Sequence, residues 1–315
     1  MSLTSLLLIY CLLILVGSLA GGLIPLMVRL THRRIQAGVS FVAGMMLGVG
    51  LLHLLPHALL EAPDAIHAVF LWVLAGFLVM FFTERFFCFH HHEVPQIGKD
   101  ASHDHQAEAC PHVRSESHAL TWSGAAVGLT LHTVFNGIAL AASVEAESHA
   151  GAAGALAGLG TFLVIFLHKP FDAMTISTLM TLGGWSTTAR HVVNSLFALM
   201  IPLGVALFYV GMGRADGEGN LLAYALAFSA GTFLCIASSD LLPELHFHSH
   251  DRGALSAALL AGLAIAVLIG AVEGGNHGHT HGPAGAAATE NHDHRSEAAG
   301  HLELTGEHAG HDHQH

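Results

Sequence analysis

The sequence predicts an all-α fold, a polytopic membrane protein of eight transmembrane helices in which helices 1–3 and 6–8 form an inverted repeat around helices 4 and 5. Three observations predict it. Of 315 residues, 52% are hydrophobic and 11% charged, and the apolar residues fall in long blocks instead of amphipathic stripes. Eight blocks reach about 20 residues, the length that crosses a hydrocarbon layer of about 30 Å at about 1.5 Å per residue. Part of the second block recurs in the seventh.

The first block, 3–28, lacks the basic start of a secretory leader and is long enough to span, so it reads as a retained helix. The others fall at 38–60, 66–89, 120–143, 152–181, 191–211, 221–243 and 254–272. The chain thus divides into 1–89 with helices 1–3, a His-rich cytoplasmic loop at 90–118, 119–182 with helices 4 and 5, 190–273 with helices 6–8, and a tail at 274–315. The tail is His-rich and without apolar period, and reads as a disordered, metal-binding extracytoplasmic tract.

An even number of crossings leaves both termini on one side. Placing them outside puts Arg29, Arg33, Arg34, Arg85, Lys99, Arg114, Arg190 and Arg252 in the cytoplasm, with only Arg214 and Arg295 outside. That bias predicts a plasma (inner) membrane protein with both termini extracytoplasmic. The outer loops carry Glu61, Asp64, Glu145, Glu147, Asp216 and Glu218, which draw cations.

Other classes are excluded by composition. The 28 histidines stand against 11 Lys plus Arg, with a formal charge of −12 and no basic patch, so nucleic acid is not a partner. Cys11, Cys88, Cys110 and Cys235 show no CxxC spacing and receive no role. There is no GxxxxGK[ST] motif for a nucleotide.

The repeat aligns residues 43–57, AGMMLGVGLLHLLPH, on 230–244, AGTFLCIASSDLLPE, without gaps at an offset of 187 and with six identities. Helix 2 and helix 7 cross in opposite directions, so the copies are inverted. Such repeats mark transporters, with the substrate site near the midplane between the halves.

Four helices each carry a polar pair at i, i+4, hence on one face: His53/His57, His132/Asn136, His168/Asp172 and Asp240/Glu244. An ionisable group near the bilayer centre costs roughly 2.5–3.5 kcal/mol and therefore faces a protein interior or a path. The second and third pairs lie mid-span. His53 and His57 approach the outer end of helix 2, and Asp240 and Glu244 the inner end of helix 7. Together they trace a route. Imidazole, amide and carboxylate suit zinc and related first-row ions, and Met45 or Met46 on helix 2 could add a thioether. Pro56, Pro170 and Pro243 sit within or beside the pairs, each freeing a helix carbonyl. Lys169 repels a cation while protonated; it pairs with Asp172, takes the room of a second ion, or points to another helix.

These residues resemble the ZIP family of divalent metal transporters. HTVFNG at 132–137 and HKPFDA at 168–173 stand where that family has HNxxEG and HExxE motifs, and HLLPH and DLLPE look like its helix 2 and helix 7 motifs. The resemblance, which covers the chain up to about Val272, implies that His132, Asn136, His168, Asp172 and Met45 bind the transported ion. His53, His57, Asp240, Glu244 and Lys169 then line the pathway. Thr133 and Lys169 depart from the two-metal pattern and imply a single metal site.

The expected function is uptake of Zn²⁺ into the cytoplasm by alternating access, with Fe²⁺, Mn²⁺, Cd²⁺ and Co²⁺ as further substrates. No cofactor is expected and no enzymatic activity. The partners are the metal ion and the lipid bilayer, with a homodimer as the candidate assembly. Two other readings stand beside it: an exporter of the cation diffusion facilitator kind, and an intramembrane zinc hydrolase.

Overall fold

A computed structural model describes residues 2–27, 31–87, 114–149, 157–214, 220–247 and 252–274. The chain divides into two units, Met1–His277 and Gly278–His315, and the second lies outside the described residues. So do the loop at 88–113 and the side chains of 240–247. The described residues form helices α1 (Leu3–Met27), α2 (His32–Val49), α3 (Leu55–Glu61), α4 (Ile66–Phe87), α5 (Arg114–His149), α6 (Leu159–Leu182), α7 (Thr187–Ala198), α8 (Met200–Arg214), α9 (Leu221–Phe247) and α10 (Arg252–Gly274).

They contain eight stretches long and apolar enough to cross a membrane, from Leu3–Leu23 to Arg252–Ala271. The second is α2 and α3 together, and the sixth is α7 and α8. Both breaks have a local cause. Before Pro56 the chain takes one π-helical turn, Gly50–Leu54, in which the Leu55 amide reaches back to the Gly50 carbonyl. The proline cannot donate to its own helix, and the wider turn absorbs the slip. Pro202 breaks the sixth span in the opposite sense: it has no amide to donate to the Ala198 carbonyl, and the turn beside it tightens, the Leu199 amide bonding the Leu196 carbonyl three residues back at 3.2 Å. Ser186 starts α7 by accepting a hydrogen bond from the Ala189 amide on its side chain.

Helix α2 packs most extensively on α10, α4 on α9, α1 on α6 and α5 on α8. Small residues set these crossings. A Cβ at Gly44 would stand 2.1 Å from the Leu259 carbonyl oxygen, and one at Gly262 2.0 Å from that of Phe41, so α2 and α10 meet backbone to backbone. Glycines 76 and 231 do the same for α4 and α9. In a membrane, where lipid tails are as apolar as leucine, such close approach is a main source of helix association. Outward-facing Leu8, Leu12, Phe70, Leu71, Leu207 and Leu268 are exposed, as a surface that meets lipid should be.

Candidate functional site

Helices α5 and α6 run side by side, and their mid-span polar pairs meet. His132 Nε2 and His168 Nε2 stand 3.4 Å apart. Asp172 Oδ2 lies 3.6 Å from the first and 3.8 Å from the second. The Asn136 amide nitrogen sits 2.9 Å from His132 Nε2 and 3.0 Å from His168 Nε2. All of these residues are buried but Asp172, whose side chain keeps 15% exposure against 5% and 7% for the two histidines.

Hydrogen bonding fixes the tautomers. His168 Nδ1 lies 2.7 Å from the Val164 carbonyl, one turn back on α6. A carbonyl only accepts, so Nδ1 carries the proton and the Nε2 lone pair faces the cluster. Asn136 Nδ2 has two protons and donates one to each Nε2. Two imidazole lone pairs would otherwise face each other across 3.4 Å. The other end of that amide, Oδ1, is buried without a hydrogen-bond partner.

His132, His168 and Asp172 are the one group of three metal-ligand side chains among the described residues whose ligand atoms all lie within 4.8 Å of one another. Donors about 2.0–2.1 Å from a tetrahedral zinc are separated by about 3.3 Å. The observed spacings are close to that.

Lys169 turns the other way round α6, fully buried. Its Nζ donates to Thr133 Oγ1, stands 3.5 Å from Asp172 Oδ2 and lies 3.6 Å from the centroid of the Phe197 ring on α7. Thr133 in turn donates to the Leu129 carbonyl at 2.7 Å, which aims an oxygen lone pair at the ammonium. Lys169 thus pairs with Asp172 and also reaches neighbouring helices, through Thr133 on α5 and Phe197 on α7. Thr133 and Phe197 were not legible as its partners. Pro170 beside it is seated on α1, where a Cβ at Gly21 would stand 2.3 Å from the proline Cα.

The other sequence-predicted residues fall on α2, the π turn, α3 and α9. His53, in the π turn, is buried and its Nε2 stands 2.8 Å from the Ala266 carbonyl of α10. Its ring is wedged beside Gly160 and Gly270. His57 is half-buried one turn on. Met45 and Met46 are buried in the apolar core. Asp240 and Glu244 fall on α9, but their side chains are outside the described residues. At the C-terminal end of α5, buried Glu147 accepts from the Gly158 amide at 2.7 Å and from Ser143 at 3.2 Å, tying the ends of α5 and α6 together.

Comparison with known proteins agrees with this architecture. The ZIP zinc transporter family profile matches residues 4–126 and 124–270. The zinc transporter ZIP9-B of Xenopus laevis is 28% identical over 311 residues, covering 84% of this chain and 95% of that protein. Zinc transporter 3 of Arabidopsis thaliana is 25% identical over 254 residues, covering 74% and 70%. Zinc transporter ZIP13 of Gallus gallus is 24% identical over 280, covering 75% and 74%. The matches span both halves of the helical unit, including the two helices that carry the polar cluster, and place the chain with neither the hydrolases nor the cation diffusion facilitators. The chain belongs to the ZIP zinc transporter family, a membrane carrier and not an enzyme.

Proposed function

We propose that this protein carries Zn²⁺ across the membrane into the cytoplasm through one midplane site, with His132, His168, Asp172 and Asn136 as ligands and Met45 as a further donor from α2. The observation that carries the reading is the convergence of two Nε2 lone pairs and a carboxylate oxygen, all within 4.8 Å, inside an apolar bundle. Asn136 joins by turning its amide over, which brings the unpartnered Oδ1 to the point where Nδ2 now stands. One carboxylate and one amide make a modest site, and a carrier must release its ion.

Several features support alternating access. Helices α1, α5, α6, α7 and α8 pack chiefly among themselves, as do α2, α3, α4, α9 and α10. The four main packings also exchange in pairs if spans 1, 2 and 3 are swapped with 6, 7 and 8, and span 4 with 5. An inverted repeat would impose that pattern. The partial exposure of Asp172, the ligand nearest the cytoplasmic end of α6, fits a conformation open inward. Leu140, Val144 and Ile165 are fully buried toward the outer side. His57 receives the ion from outside, and His53 stands beside the path with its Nε2 holding α10 at Ala266; Asp240 and Glu244 take the ion on the cytoplasmic side. An inward step gains about 2.3 kcal/mol per charge for each 100 mV of inside-negative potential, so no ATP is needed.

The test is zinc flux in proteoliposomes loaded with an internal indicator. Wild type is expected to admit Zn²⁺ and His168→Ala to lose at least about 100-fold in rate, more than the loss typical of an outer-shell partner. Flux preserved in His168→Ala removes the midplane assignment.

A further inference from the structure

We propose that Phe197 sets the affinity of the metal site, as a positioning residue that holds the Lys169 ammonium aside when the ion arrives. This rests on the reading of the α5/α6 cluster as the transported ion's site. Lys169 Nζ has three partners: Asp172 Oδ2 at 3.5 Å, Thr133 Oγ1 and the Phe197 ring at 3.6 Å. With the site empty, the ammonium balances the Asp172 charge, so the buried cluster is neutral. A divalent ion that takes Asp172 Oδ2 removes the anionic partner of the lysine and repels its charge. What remains is the threonine oxygen, already fixed by Leu129, and the face of Phe197.

The two end states therefore depend on the ring unequally. In the empty site Phe197 is one of three attractions on the ammonium; in the loaded site it is one of two. A desolvated cation over an aromatic face is held more strongly than one in water. Phe197 is itself 3% exposed and Lys169 fully buried, so water does not replace the ring. The ring comes from α7, which is not one of the ligand-bearing helices. The break at Leu199 separates α7 from α8 and leaves Phe197 at the penultimate position of α7.

A graded test keeps the shape of the side chain. Phe197 is replaced in the full-length chain by mono-, di- and trifluorinated phenylalanine, which draw electron density from the ring face while filling nearly the same space. Zn²⁺ flux into proteoliposomes is then measured against Zn²⁺ concentration. KM is expected to rise in steps, about tenfold across the series, while the maximal rate changes less than about twofold. In a Lys169→Met background the same series should leave KM flat, because no cation remains to couple to the ring. A KM that ignores fluorination, or that responds equally with and without Lys169, overturns the proposal while leaving zinc transport intact. A wild type that carries no Zn²⁺ overturns the transport reading and the proposal together.

Discussion

His168 and His53 are both buried intramembrane histidines at the head of an i, i+4 polar pair, yet they are put to opposite uses. His168 spends Nδ1 on a carbonyl of its own helix, Val164, and presents Nε2 to a second histidine, an amide and a carboxylate. His53 spends Nε2, the nitrogen at the far end of the ring, on a carbonyl of α10. It thereby joins two helices. The difference teaches that a histidine in a membrane helix is poised for metal when its outer nitrogen is left facing other donors, and acts as helix-to-helix glue when that nitrogen is bonded across an interface.

The largest expected effect breaks the comparison directly. His132→Ala should lower zinc flux at least about 100-fold, as loss of a ligand exceeds the loss typical of an outer-shell partner. His53→Ala should keep the rate within about threefold, while destabilising the protein by about 0.5–1.5 kcal/mol for the interhelical hydrogen bond lost. Thermal melting in detergent reads the second effect. If both substitutions abolish flux alike, His53 is part of the ion's path in every step and the contrast fails.

A smaller effect sharpens it. Asn136→Asp adds a second carboxylate to the α5/α6 cluster, and KM for zinc should fall about tenfold with a lower maximal rate, because tighter binding slows release. The smallest change is a count. Lys169→Glu replaces the ammonium with a carboxylate, and bound metal at the midplane should rise from one ion toward two. The count is read by metal analysis, with His168→Ala as the blank for the histidine-rich tracts. An unchanged count would mean that Lys169 does not occupy the room of a second ion.

Much of this was legible in the sequence, for physical reasons. Apolar blocks report hydrocarbon thickness, so the eight spans were visible, and the i, i+4 spacing of His132/Asn136 and His168/Asp172 fixes a shared face whatever the tertiary fold. What lay hidden depends on partners distant in the chain. The bond from His53 joins residues 213 apart, and nothing local marks Ala266 as its acceptor. Phe197 reads as one more apolar residue of a span until α7 is placed against α6. The division of the sixth span followed from Pro202, whose missing amide was a local signal that a hydropathy reading passes over.

The central claim is that Nε2 of His132 and His168 and Oδ2 of Asp172 share one cation. Diffraction at the zinc absorption edge from crystals grown with Zn²⁺ tests it most directly. An anomalous peak about 2.0–2.2 Å from all three atoms, absent in His168→Ala crystals, is the result expected. A peak bound elsewhere in the bundle, with the α5/α6 cluster still closed on its own hydrogen bonds, would contradict it.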